Sequence, residues 1–166
     1  MSNVSDAWVA ELLERARSEL KQLCEIAYPL EACGALLGTG DGELSPWRVT
    51  RVISAPNRHS GDRRRSYLIA PELQLAAERE ADHASEQVLG YFHSHPDCPA
   101  LPSDRDRAQA WASYLYVICS VVKARTAGIG AFAKVAQDGP LLLVPVAPTG
   151  PVKQSTLERP PCPSQS

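Results

Sequence analysis

Two histidines spaced two apart, His93 and His95, carry the most distinctive chemistry in the chain, and Ser103 and Asp106 follow them closely. On a β-strand alternate side chains share a face, so both imidazoles can reach one ion. Zinc takes nitrogen donors at about 2.0–2.1 Å in tetrahedral geometry, and a carboxylate from the next element can supply a third ligand. Asp106 is placed for that part. Three protein ligands leave a fourth position to water, whose pKa such an ion lowers to roughly 7. Hydrolysis is the reaction class that follows. It needs a further carboxylate to take the proton of water and hand it to the leaving amine.

Each feature alone has an ordinary explanation. A His-x-His pair also arises on solvated strands, and Ser103 with Asp106 alone reads as a helix cap. The conjunction is what discriminates. With four histidines in the chain, His-x-His-x7-Ser-x2-Asp arises by chance in well under roughly one chain in a thousand.

The surrounding pattern supplies elements to position these groups. Apolar residues recur at three- and four-residue intervals from Val9 to Ala27, which predicts an amphipathic helix ended by Pro29. Cys33 to Leu37 and Val49 to Ile53 read as a strand pair, followed by a polar loop over residues 56–66 and a short apolar piece from Tyr67 to Ile69. Pro71 opens a second helix with Leu73, Ala76, Ala77, Ala81, Ala84 and Val88 on one buried face. Val88 to His95 is the strand that carries the histidines. A third helix starts at about Ser103, in a capping box with Asp replacing Glu. Leu115 to Val122 reads as a strand buried on both faces; Ile129 to Val135 and Leu141 to Val146 add two more, with Pro145 marking the last as an edge.

The 166 residues fit one domain, expected over 1–147, with a Pro-rich flexible tail over 148–166. A net charge of -2 argues against a nucleic-acid partner. No apolar run is long enough to span a bilayer, so the expectation is a cytoplasmic protein with no membrane partner. The five cysteines, an odd number without a CxxC pair, read as reduced thiols, with Cys98 as an exposed thiol near the site. The cluster Arg58, Arg63, Arg64 and Arg65 reads as a solvated loop or as a contact for an acidic surface, and Trp111 and Tyr114 as core anchors.

The segment from His93-Ser94-His95-Pro96 through Pro102-Ser103 to Asp106 resembles the JAMM motif of MPN-domain metallopeptidases. Tyr28 to Gly38 is similar to the segment of that family that bears its glutamate, and the likeness runs over roughly residues 8–146. The resemblance implies His93, His95 and Asp106 as zinc ligands, Glu31 as general acid and base, and Ser103 as a donor to the developing oxyanion. It implies an α/β (α+β) fold, MPN/JAB-like and cytidine-deaminase-like, in which a curved, mostly antiparallel sheet is flanked by helices. The implied substrate is a small β-grasp ubiquitin-like or sulfur carrier protein, cut after its C-terminal glycine to release cysteine or a C-terminal extension. An isopeptidase of a bacterial ubiquitin-like conjugation system is the alternative, and a non-catalytic scaffold a weaker one because all five residues are present. A zinc nucleoside deaminase needs His-x-Glu and Pro-Cys-x-x-Cys, and neither occurs. The sequence leaves the oligomeric state open.

Overall fold

A computed structural model describes residues 8–147. In chain order the elements are β1 (Ala10–Leu12), α1 (Glu14–Ala27), β2 (Cys33–Thr39), β3 (Trp47–Ala55), α2 (Pro71–His83), β4 (Gln87–Pro96), α3 (Asp104–Gln109), β5 (Leu115–Val122), β6 (Arg125–Ala133) and β7 (Leu142–Val144). The strands form one seven-stranded sheet in the order β1-β3-β2-β4-β5-β6-β7. Among the described strands β1/β3 and β4/β5 pair parallel, as does the isolated bridge between Ala10 and Val146. The sheet curls until its ends meet: the amide of Ala10 donates to the Pro145 carbonyl at 2.9 Å, and that of Ala147 to the Ala10 carbonyl at 2.8 Å. The expected curved, mostly antiparallel sheet with flanking helices is therefore what the chain forms.

Strand alternation divides the interior into two sides. Leu36, Phe92, Leu115, Val117 and Cys119 face the main core, where they pack with Leu12, Ala16, Leu20 and Cys24 from β1 and α1. Each large side chain buried there contributes about 1.5–3 kcal/mol relative to exposure. On the other side, Ala35 and Leu37 meet Ala77 and Ala81 of α2, and Tyr116 and Ile118 pack with Phe132. The burial of β5 on both faces thus agrees with its continuous apolar run. Because Phe92 points into the main core, the period of two puts His93 and His95 on the opposite face.

Several boundaries differ from the sequence reading. The first helix begins at Glu14 rather than Val9, because Ala10 and Leu12 pair with Trp47 and Val49 of β3. Over so few residues a buried alternation and a helical period look alike. Only Ala77 and Ala81 of the face expected for α2 are fully buried within the helix, while Ala76 and Ala84 are exposed. β6 starts at Arg125, four residues before Ile129. Trp111 is 66% exposed and is no core anchor; it lies just past α3, where its amide rather than its ring is held, by the Tyr116 hydroxyl. The tail expected over 148–166 lies outside the described residues.

Candidate metal centre

The structure brings His93, His95 and Asp106 together, with one ligand atom from each lying within 4.8 Å of the others. The two Nε2 atoms are 3.0 Å apart. His93 Nε2 lies 3.1 Å from Asp106 Oδ1, and His95 Nε2 lies 3.3 Å from Asp106 Oδ2. β4 sets the pair of rings, and α3 sets the carboxylate. Ser103 caps α3 as expected: its Oγ accepts the Asp106 amide at 3.2 Å, while Asp106 Oδ2 accepts the Ser103 amide at 2.7 Å. The box therefore fixes the Asp106 side chain as well as the helix start.

The imidazoles are held with their Nε2 atoms inward. His95 Nδ1 lies 3.0 Å from the Pro99 carbonyl, which can only accept, so Nδ1 carries the proton and Nε2 keeps its lone pair. The ring of His93 stacks on Tyr67 at 4.5 Å between centroids, and its Nδ1 has no hydrogen-bond partner among the described residues. Burial lowers the pKa of His93 despite the opposing pull of Asp106. For Asp106, burial works to raise the pKa, but the facing rings of His93 and His95, which donate to it whenever their Nε2 atoms carry a proton, together with the Ser103 hydroxyl, outweigh it and hold the carboxyl well below the usual range. With both Nε2 atoms deprotonated, the two imidazoles and the carboxylate, aimed at one point, form a cation-binding donor set.

Glu31, just ahead of β2, reaches this centre through the pairing of β2 with β4, which sets Cys33 beside His93. Between the histidines, Ser94 locks the junction: its Oγ accepts the Ala32 amide at 2.8 Å, and its own amide donates to the Ala32 carbonyl at 3.0 Å. Glu31 is only 6% exposed. Burial, reinforced by the nearby charge of Asp106, raises its pKa to about 9, with Arg105 opposing. These groups open onto a cleft of about 650 Å³, lined in part by Tyr28, Glu31, Arg64, Arg65, Tyr67, His95, Cys98, Ser103, Arg105 and Asp106. All five residues singled out by the sequence meet within or beside it.

The profile of the family described as prokaryotic homologs of the JAB domain matches residues 8–132. The chain belongs to this JAB family. Among curated relatives, a desampylase of Haloferax volcanii is 31% identical over 93 residues, 55% of this chain and 63% of that protein. A protein of Thermus thermophilus named probable TtuB-protein conjugate cleaving protease is 35% identical over 107 residues, 64% of each chain. The matched region thus spans less than two thirds of the length of either. A solution structure from Desulfitobacterium hafniense is 28% identical with a TM-score of 0.70, covering 84% of this chain and 91% of that one. A JAB1/MPN domain protein from Archaeoglobus fulgidus, at 15% identity and a TM-score of 0.50, covers 85% and 99% and shows the shared fold.

Within this JAB domain three supports escaped the sequence reading. Asn57 uses both ends of its amide: Nδ2 donates to the Glu31 and Ser66 carbonyls at 3.2 and 2.9 Å, and Oδ1 accepts the His59 and Leu68 amides at 3.0 and 3.2 Å. It ties the 56–66 loop to the backbone of Glu31. The bond to His59, two residues on, is an Asx-type contact that Asn in a turn-rich stretch could have signalled. Tyr67 gave no signal beyond being apolar. The Tyr28 hydroxyl donates to Asp97 Oδ2 at 2.8 Å, bracing the loop after β4. One expectation is corrected: Cys98, at the cleft, is disulfide-bonded, whereas Cys24, Cys33 and Cys119 are free. An odd cysteine count argues against a full disulfide framework but leaves room for a single bond.

Proposed function

We propose that this chain is a zinc-dependent peptidase that hydrolyses the bond following the C-terminal glycine of a ubiquitin-like or sulfur carrier protein. The observation that carries the reading is the convergence of His93, His95 and Asp106 beside the buried Glu31 on an open cleft. Ligands about 2.05 Å from zinc in a tetrahedron stand roughly 3.3 Å from one another, and the three donor separations here are 3.0, 3.1 and 3.3 Å. The donor set therefore fits the ion. Bound zinc supplies a Lewis acid for the scissile carbonyl and acidifies a water at its open position.

The side chains do the rest. His93, His95 and Asp106 hold the ion, with Tyr67 and the Pro99 carbonyl keeping the rings in register. Glu31 acts in its ionised form, which the positive charge of a cation held beside it would favour: it takes the proton of the attacking water and delivers it to the leaving nitrogen. Ser103 Oγ now donates to Asp106 Oδ2 at 2.7 Å, and turning that hydroxyl toward the carbonyl oxygen supplies a donor as negative charge develops. A glycine tail suits such a cleft because it can approach extended and without side chains.

The relatives named for desampylation and for cleaving protein conjugates favour removal of a ubiquitin-like protein from its conjugates over release of cysteine from a carrier. Intact mass spectrometry decides between them. A β-grasp carrier, supplied as an isopeptide conjugate, as a linear extension and as the cysteine adduct, is incubated with zinc-loaded wild type and with Glu31→Gln. Return of the free diglycine carrier with wild type alone supports the peptidase, and the form consumed fastest identifies the bond. Intact substrates throughout, with zinc bound, would sink the reading.

A further inference from the structure

The basic cluster of the 56–66 loop does not act as one patch. Arg63 Nε donates to the His59 carbonyl at 3.0 Å, which turns that side chain back along its own loop. Arg64 and Arg65 instead line the cleft, where they are joined by Arg105 from α3. Arg105 donates to the Ser66 hydroxyl, so the arginine of α3 and the arginine loop are fastened together. Among the described residues the guanidinium groups of Arg64 and Arg65 have no ion-pair or hydrogen-bond partner.

Among the described residues the Asp97 and Asp106 carboxylates of the same cleft are bonded elsewhere and form no ion pair with this wall. Both carboxylate oxygens of Asp97 are engaged, Oδ2 by the Tyr28 hydroxyl at 2.8 Å and Oδ1 by the Lys123 amide at 3.2 Å. Asp106 is committed to the histidines and Ser103. An anion entering the cleft therefore meets three arginines, none of which is paired with a carboxylate among the described residues. The wall also has a side. The Glu31 amide donates to the Arg63 carbonyl at 2.8 Å, and the charge of Arg105 acts on Glu31. The arginines thus stand on the side of the group that protonates the departing nitrogen.

We propose that Arg64, Arg65 and Arg105 read a carboxylate carried by the leaving group close to the scissile nitrogen. This rests on the peptidase reading given above and specifies its leaving-group side. The carboxylate has two sources: the free α-carboxylate of a short linear extension, or an acidic side chain beside the acceptor lysine of a conjugate. A leaving group without one is a poorer substrate, because nothing offsets desolvation of the guanidinium groups it covers.

The test uses four forms of one β-grasp carrier ending in Gly-Gly. One is extended by a single alanine with a free carboxylate, and a second is the same with the carboxylate amidated. The other two are isopeptide-linked to the lysine of a short peptide flanked by glutamates or by glutamines. kcat/KM is measured for zinc-loaded wild type and for the double variant Arg64→Gln, Arg65→Gln. Wild type is expected to favour the carboxylate-bearing member of at least one pair by about tenfold, and the double variant to reduce that ratio below about threefold. The pair that responds identifies the source.

A ratio near one in wild type, or a ratio that the double variant leaves intact, overturns the proposal. The same labelled leaving peptides are titrated onto Glu31→Gln protein by fluorescence anisotropy at low and high salt. If no carrier form is cut yet carboxylate-dependent binding is lost with Arg64 and Arg65, the peptidase reading has failed while the arginine wall stands. Loss of both cleavage and selective binding removes the two together.

Discussion

Replacing Glu31 by Gln should stabilise the metal-free protein while abolishing its chemistry. In the folded state Glu31 keeps its proton up to about pH 9, because burial and the neighbouring Asp106 disfavour its charge, whereas the ordinary carboxyl value is 4.5. Between those limits the folded chain binds one more proton than the unfolded chain. Stability therefore falls as pH rises, by about 1.4 kcal/mol per unit for this one group. At pH 7, some 2.5 units above the ordinary value, the accumulated cost is roughly 3 kcal/mol; at pH 5 it is under about 1 kcal/mol. Gln has nearly the same shape and nothing to ionise. Urea unfolding with chelator present should show Glu31→Gln more stable than wild type by roughly 3 kcal/mol at pH 7, with most of the gap closing at pH 5. For a domain of this size that corresponds to a rise in Tm of roughly 10 °C at pH 7. A gap that is equal at the two pH values, or a destabilising substitution at pH 7, would refute the idea that Glu31 is held buried and neutral.

Three further substitutions separate the supports of the site. Tyr67→Ala removes the ring stacked on His93 and should weaken zinc binding by about tenfold or more, read by competition with a chromophoric chelator. An unchanged affinity would make that stacking irrelevant to the centre. Ser103→Ala should lower stability by about 1 kcal/mol through loss of the cap and kcat by roughly a hundredfold or more through loss of the oxyanion donor. Loss of stability with kcat intact would leave Ser103 a cap only. Asn57→Ala frees the loop from Glu31 and should accelerate hydrogen exchange at the His59 and Leu68 amides, with the strand amides of β4 and β5 still protected; equal exchange in the variant and wild type would refute the tether.

The grouping of the candidate residues was more legible in the sequence than the scaffold was. His93 and His95 could be placed on one face because a strand has a period of two, and β4 puts them there. Ser103 and Asp106 could be read as a box because capping is local, and the same bonds appear at the start of α3. Glu31 could not be told from Glu25 or Glu43 by its neighbours. Its place depends on the register of β2 against β4, a long-range pairing that only the family resemblance supplied. The strand at Ala10 to Leu12 was hidden for the same reason, since its partner is β3, more than thirty residues away. Asn57 and Tyr67 act through contacts with Glu31 and His93 that no local pattern encodes. Trp111 was misplaced because an aromatic residue after a helix is usually buried, and here the short α3 ends before covering it.

The most direct test of the central claim is a zinc titration of metal-free protein in which binding and cleavage of a β-grasp carrier conjugate are read on the same sample. The account predicts that both saturate together at one zinc per chain, and that His95→Ala and Asp106→Ala lose both. Cleavage without metal, or full activity in either variant, would contradict it.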